Sequence, residues 1–365
     1  MTDDKQTKND DYYEQPPYRP PTEAYSLLLR VTRNCSWNKC EFCRMYPGTK
    51  LEIRSVEEVK SDIRAMKKHA DEIKAYALQK GHGGNVAMVA RANGIYWLND
   101  SGVKNVFIAD SNSVIIKTED LVEIIKYLYE TFPTIERVTS YARGKTLAKK
   151  TLDELKMLRE AGLTRLHTGL ETGDGELLNI IQKGVTPEEM ISGGKKAIEA
   201  GFELSMYVMP GLGGREMWEQ HARGSAHVLN EVNPHFIRLR TLFVPEDTPL
   251  HARYESGQFT RQTTEALLRE VRLMVEILNV DSEFIVSDHI ANRYMWGIDG
   301  VPNRDKERML KQIDKLIDDA KCFDTVRNIR WPKGIRCPTC SSAEVVRYGH
   351  VSDPTGSPEV PLQGL

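Results

Sequence analysis

The run Cys35-Ser-Trp-Asn-Lys-Cys40-Glu-Phe-Cys43 decides how the rest of the chain is read. It puts three cysteines within nine residues, directly after the segment Tyr25-Ser-Leu-Leu-Leu-Arg-Val-Thr32. That lead-in is apolar and of strand length, so the cysteines are expected on a loop at a strand's C-terminal end. Three thiolates this close together can hold metal. A zinc site wants a fourth ligand, which the neighbouring residues do not offer. A four-iron cluster held by only three thiolates keeps one iron open, much as a catalytic zinc keeps a free position. Three unrelated core cysteines are the plain structural alternative.

Outward from the loop, 365 residues can hold one large domain with appendages or two ordinary ones. The 50 basic and 52 acidic residues give a net charge of −2, which supplies no global field for nucleic acid or an anionic membrane. No segment reaches the length of a membrane span, and the N-terminus has no apolar signal core. Six cysteines in a chain of this length are too few for a disulfide scaffold; the expectation is metal chemistry in a reducing cytoplasm.

Residues 1–22 are polar and proline-rich, and are expected to be a disordered arm. From residue 23 to 245 strands and helices alternate. Capping boxes open helices at Ser55-Val-Glu-Glu58, Thr151-Leu-Asp-Glu154 and Thr186-Pro-Glu-Glu189, and Gly162 and Gly201 close two of them just before strands. Strands are expected near 25–32, 105–110, 137–143, 165–171, 203–209 and 235–243, with a helical insertion across 81–102. Six βα units read as an α/β fold, an open parallel sheet or a barrel, with the active site at the C-terminal strand ends. Residues 246–330 read as a helical extension that includes a short strand at Phe284-Ile-Val286, and 331–365 as a tail.

The cysteine loop resembles that of the radical S-adenosylmethionine enzymes, Cys-x3-Cys-x-aromatic-Cys. Cys40-Glu-Phe42-Cys43 matches its second half, while four residues rather than three separate Cys35 from Cys40. The resemblance runs from residue 25 to about 245 and is nearest the oxygen-independent coproporphyrinogen oxidase and elongator catalytic-subunit branch. It implies a partial (βα)6 TIM-type barrel with the helical extension at its C-terminus. It also implies a [4Fe-4S] cluster on Cys35, Cys40 and Cys43, S-adenosylmethionine on the open iron, and an electron donor such as flavodoxin or ferredoxin.

The branch has Gly-hydrophobic-Gln at the fourth strand's end and a basic residue twelve positions on; here Gly169-Leu-Glu171 and Lys183 stand in those places. By that resemblance Glu171 takes the cofactor's ribose and Lys183 its methionine carboxylate, as hydrogen-bonding chemistry also suggests. Phe42 lies beside the cofactor, Gly211 in Met209-Pro-Gly-Leu-Gly-Gly214 lets backbone approach the adenine, and Asp110-Ser-Asn112 stands in place of the glycines whose backbone meets the amino group. The resemblance does not name the substrate.

His167, Tyr207 and Arg240, with Arg143 and Arg238, are polar residues on otherwise apolar strands. Such groups need partners or a polar cavity, so they are either substrate-facing catalytic candidates or ion pairs inside the barrel. Asp288-His289 could close over the site. In the tail, Cys337-Pro-Thr-Cys340 could bind zinc or a second cluster, with Cys322 and His350 completing a set, or carry no metal. Two functional classes follow. One is a radical S-adenosylmethionine enzyme. The other is a non-catalytic iron–sulfur or zinc-binding adaptor or electron carrier, with nucleic acid met, if at all, through the tail.

Overall fold

The computed structural model describes residues 12–46 and 48–330; Cys337, Cys340 and His350 lie outside the described residues. Seven strands form one sheet: β1 (Leu27–Arg30), β2 (Asn105–Ala109), β3 (Arg137–Tyr141), β4 (Leu163–Glu171), β5 (Glu203–Val208), β6 (Phe236–Leu239) and β7 (Glu283–Ile285). Every neighbouring pair is parallel, and spatial order follows sequence order. Parallel neighbours require a crossover between them. The longer helix of each crossover is, in chain order, α1 (Val56–Gln79), α2 (Thr118–Thr131), α3 (Leu152–Glu160), α4 (Pro187–Glu199), α5 (Trp218–Val232) and α6 (Thr264–Ile277). Each packs on the next, so they form a single layer. On the other face of the sheet, the rings of Phe107, Tyr141, His167 and Tyr207 touch in succession across β2 to β5. This is an α/β partial barrel of TIM type. Within the sheet β1 and β7 are the two edges, so the barrel is open.

Local chemistry sets the boundaries. The capping boxes at Ser55, Thr151 and Thr186 all form, each with two reciprocal hydrogen bonds at a helix start. Gly162 and Gly201 adopt φ of +114° and +92°, the left-handed turn that releases the chain from α3 and α4 into the next strand.

Three features differ from the sequence expectation. The short strand of the extension, Glu283–Ile285, joins the main sheet against β6, with Ile237 opposite Phe284, so the sheet has seven strands rather than six. The 81–102 insertion is only partly helical: a short helix, Val86–Ala92, precedes a two-stranded hairpin of Leu98–Asn99 and Gly102–Val103. From Tyr12 onward the segment expected to be an arm is tied down, because Glu14 accepts hydrogen bonds from Arg30 and Arg33 and Tyr13 stacks edge-on against His69.

The compact unit built on the sheet ends at Ile317, and a second unit begins at Asp318 within the helix α7 (Pro302–Arg330). In that second unit Cys322 is an exposed free thiol. No helix among the described residues is long and apolar enough to cross a membrane.

Candidate active site at the C-terminal strand ends

The cysteine loop leaves β1 through the two-residue strand Thr32–Arg33 and occupies residues 34–46. Cys35, Cys40 and Cys43 are free, partly exposed thiols. The backbone N–H groups of Trp37 and Asn38 both point at Cys35 Sγ, each at 3.4 Å, as Asn38 turns through a φ of +52°. The backbone after Cys35 is thus curled around the first thiol. Burial pushes the Cys40 thiol up to about 11, and also raises Cys43. Among the described residues no three Cys, His, Asp or Glu side chains converge as ligands of a single ion.

The loop is docked onto the β4 end at several points. Trp37 Nε1 donates to Gln182 O at 2.6 Å, and Glu41 N to Ile181 O at 2.9 Å. The indole lies on Gly184, where any Cβ would run into the ring and φ is +68°. Phe42 packs against the cluster of Leu177, Ile181, Leu212, Val244, Leu250 and Phe259. The aromatic residue before the third cysteine thus anchors the loop in the core.

Lys183 Nζ sits 5.7 Å from the Phe42 ring centroid and 2.8 Å from Glu171 Oε1. Sequence reasoning gave these two residues separate tasks; the structure makes them an ion pair. The pairing depends on Gly169. The β4–β5 register shifts between Gly169 and Glu171, Glu171 takes a φ of +61°, and its carboxylate folds back into the space a Cβ on residue 169 would need. Burial disfavours the Lys183 charge, but Glu171 and Cys40 outweigh it and hold the ammonium above the ordinary lysine range.

Arg143 completes this side. Its guanidinium lies 5.1 Å from the Trp37 ring, and NH2 donates to Lys183 O at 2.7 Å. Burial lowers its pKa, with Cys40 and Cys35 acting against that. Asn112, the last residue of the Asp110-Ser-Asn112 segment, is 1% exposed and joins two parts of the rim. It donates to Ser36 Oγ at 3.0 Å and accepts from Arg143 N at 3.0 Å. Asp110 is also buried, with its carboxylate turned toward Arg30, Asn34 and Tyr46.

At the β5 end, Gly211 has a φ of +89° and donates its N–H to Glu270 Oε1 at 2.9 Å. Glu270 comes from α6 and also accepts from Gln262 at 2.7 Å. His221 Nε2 of α5 stands 3.4 Å from the same carboxyl. Burial carries Glu270 up to about 8 and His221 down to about 4, so both are neutral at pH 7. The sequence signal for Glu270 was a glutamate three residues after Leu267 on the apolar stripe of α6.

Below the rim, the structure brings His167, Tyr207 and Arg240 together. The Tyr207 hydroxyl is 3.4 Å from His167 Nδ1, and the Arg240 guanidinium lies 4.8 Å from the Tyr207 ring. His167 Nε2 faces the buried Glu23, at 3.7 Å. Burial is the main influence on both ring groups, lowering His167 and raising Tyr207 to about 12. Asp288 bridges Arg240, at 2.8 Å, and Arg238, so it closes on β6 rather than on the cysteines. His289 is not part of this bridge; its ring caps the 3-10 turn Ile290–Met295.

Residues 29–222 match the family model for the radical SAM superfamily, and residues 317–353 that for a transposase zinc-ribbon domain. The chain is 24% identical over 189 residues to the tRNA uridine(34) acetyltransferase of Methanocaldococcus jannaschii, covering 50% of this chain and 34% of that protein. It is 23% identical over 172 residues to the heme chaperone HemW of Bacillus subtilis, covering 46% and 45%. The chain therefore spans less than half the length of these curated relatives. Among solved structures, coproporphyrinogen III oxidase (HemN) from Escherichia coli aligns with a TM-score of 0.46 and 17% identity, over 73% of this chain and 56% of that one.

Proposed function

The chain belongs to the radical SAM superfamily, and from that premise we propose an enzyme that cleaves S-adenosylmethionine at a cluster held by Cys35, Cys40 and Cys43. The observation that carries this reading is the docking of the cysteine loop. Phe42 and Trp37 fix it against the segment bearing Lys183, so that thiols, cation and carboxylate share one rim. The donor set fits a [4Fe-4S] cluster, with three thiols as ligands and backbone N–H groups aimed at one of them. When bound, the cluster supplies one electron to the sulfonium, giving methionine and a 5′-deoxyadenosyl radical that takes hydrogen from the substrate.

The chain's own residues position and shield. Lys183 offers a charge-assisted hydrogen bond to the methionine carboxylate, and Glu171 accepts from ribose hydroxyls; a ligand that uses both inserts into their ion pair. Gly211, its N–H held by Glu270, sets the turn that would lie beside the adenine. Phe42 covers Lys183 from the core side and keeps water from it. His167, Tyr207 and Arg240 line the wall that a substrate would face, with the Tyr207 hydroxyl hydrogen-bonded to the His167 ring. Electrons come from a one-electron donor such as flavodoxin or ferredoxin.

The test is anaerobic reconstitution with iron and sulfide, a strong reductant and S-adenosylmethionine, with 5′-deoxyadenosine measured. Release of 5′-deoxyadenosine is expected. A full iron complement with no cofactor cleavage across several reductants would instead favour the carrier reading, to which the likeness to a heme chaperone lends support. For the tail, the zinc-ribbon match favours zinc over a second cluster at Cys337 and Cys340. Any such metal is expected to be dispensable for cofactor cleavage, which removal of residues 331–365 would check.

A further inference from the structure

Asp110 ends the second sheet strand in the place where the resemblance put a cofactor contact. Its side chain is 0% exposed. Oδ2 accepts from Arg30 Nε at 2.9 Å and from the backbone N–H of Asn34 at 3.0 Å, and forms an ion pair with Arg30 NH2 at 2.9 Å. Oδ1 accepts from the Tyr46 hydroxyl at 3.0 Å. With its side chain fully buried, the carboxylate is turned toward these protein groups, most of them on Oδ2. Asn34 immediately precedes Cys35, and Tyr46 follows Cys43 by three residues. One buried carboxylate therefore grips both ends of the cysteine loop.

A second carboxylate steadies the same assembly from outside. Glu14 accepts from Arg30 NH1 at 2.7 Å and from Arg33 Nε and NH2 at 2.8 and 2.7 Å. Its backbone N–H donates to Asp62, which in turn pairs with the buried Arg54 at 2.6 Å. Arg54 NH1 reaches back to Arg30 O at 2.8 Å. Arg30 is thus held from both its side chain and its carbonyl, and it is the guanidinium that Asp110 uses.

We propose that Asp110 is a positioning residue that clamps the two ends of the cysteine loop, with Glu14 holding Arg30 in place behind it, and that it makes no contact with the cofactor. This rests on the reading of Cys35, Cys40 and Cys43 as cluster ligands. A loop whose ends are already fixed gives up less conformational freedom when its thiols take metal, and releases that metal more slowly.

The experiment uses the full chain and the variants Asp110→Asn, Tyr46→Phe and Glu14→Gln. Amide hydrogen exchange of residues 34–46 is measured on metal-free protein. Loss of cluster absorbance to a chelator and calorimetric binding of S-adenosylmethionine are measured on reconstituted protein. Asp110→Asn should speed exchange in 34–46 and cluster loss by about tenfold, the order set by one charge-assisted hydrogen bond. Tyr46→Phe and Glu14→Gln should do the same by about threefold, as neutral or outer contacts. Affinity for S-adenosylmethionine per loaded cluster should change by no more than about twofold in all three. Unchanged exchange and cluster loss in both Asp110→Asn and Tyr46→Phe would overturn the clamp. So would a tenfold loss of cofactor affinity in fully loaded Asp110→Asn, which would mark a direct contact. If the unsubstituted chain takes up no cluster, the functional reading fails, while the exchange measurement on metal-free protein still decides the clamp.

Discussion

The cysteine loop and the glycine turn after β5 each rest on a buried carboxyl group, and the two are stabilised in opposite ways. Asp110 meets a guanidinium, a backbone N–H and a phenol. Glu270 meets a backbone N–H, an amide and a neutral imidazole, and keeps its proton to about pH 8. Burying a carboxylate without a cation is costly, so such a group binds a proton instead. The loop that would carry metal is therefore fixed by charge, and the turn that would carry the adenine is fixed by a protonated acid. The turn should feel mild alkali.

The strongest way to break the comparison is to remove a ligand. Cys40→Ala should abolish cluster uptake and 5′-deoxyadenosine release while the apo protein keeps its thermal midpoint to within a few degrees. A variant that retains a four-iron spectrum would remove Cys40 from the ligand set. Next in size, Lys183→Ala should weaken cofactor binding by about 1.5–3 kcal/mol, the worth of a hydrogen bond to a charged group. Glu171→Ala should cost less, since it also frees Lys183. Calorimetry on loaded protein reads both, and equal affinity in all three proteins would detach the ion pair from the cofactor.

The protonation difference gives the next effect. In the unfolded chain Glu270 loses its proton near pH 4.5 and His221 near 6.5; in the folded chain Glu270 keeps its proton to about 8 and His221 takes none until about 4. Between pH 4.5 and 6.5 each state holds one proton on the pair, and stability is flat. From about 6.5 to 8 only the folded state holds it, so stability falls as pH rises, by about 2 kcal/mol in all. Denaturant titrations across this range should show the fall in the natural chain and its loss in Glu270→Gln. A slope that survives the substitution would assign it elsewhere. The smallest effect belongs to a site remote from both supports. Thr186→Ala removes the cap of α4 and should cost about 1 kcal/mol of stability without altering cluster retention.

What the sequence made legible was local in origin. The three cysteines announce themselves by spacing, and the three capping boxes by residue types three apart. The βα alternation showed through apolar runs and closing glycines. What stayed hidden depends on partners distant along the chain. Glu14 lies in a polar stretch with little to bury, and its role emerges only when Arg30 and Arg33 converge on it. Asp110 could be assigned to the right strand end but not to the right direction, because its neighbours come from both ends of another loop. The Glu171–Lys183 pair was missed because it needs the left-handed turn at Glu171, which a strand pattern does not reveal. Glu283–Ile285 is too short to be recognised as part of the sheet before its pairing with β6 is seen.

That last strand bears on how the protein can be divided. The alternating pattern suggests a cut after residue 245, where the barrel repeat stops. Such a cut would strip β7 from β6 and expose the peptide groups of Phe236–Leu239 along an apolar edge, a template for sticking to other chains. It would also remove α6, and with it the acid under the Gly211 turn. The fragment would precipitate or self-associate, and would do so for reasons unrelated to iron. A minimal soluble core has to run through the sheet's seventh strand and the helix that begins at Pro302, whose Met309, Ile313 and Ile317 are buried.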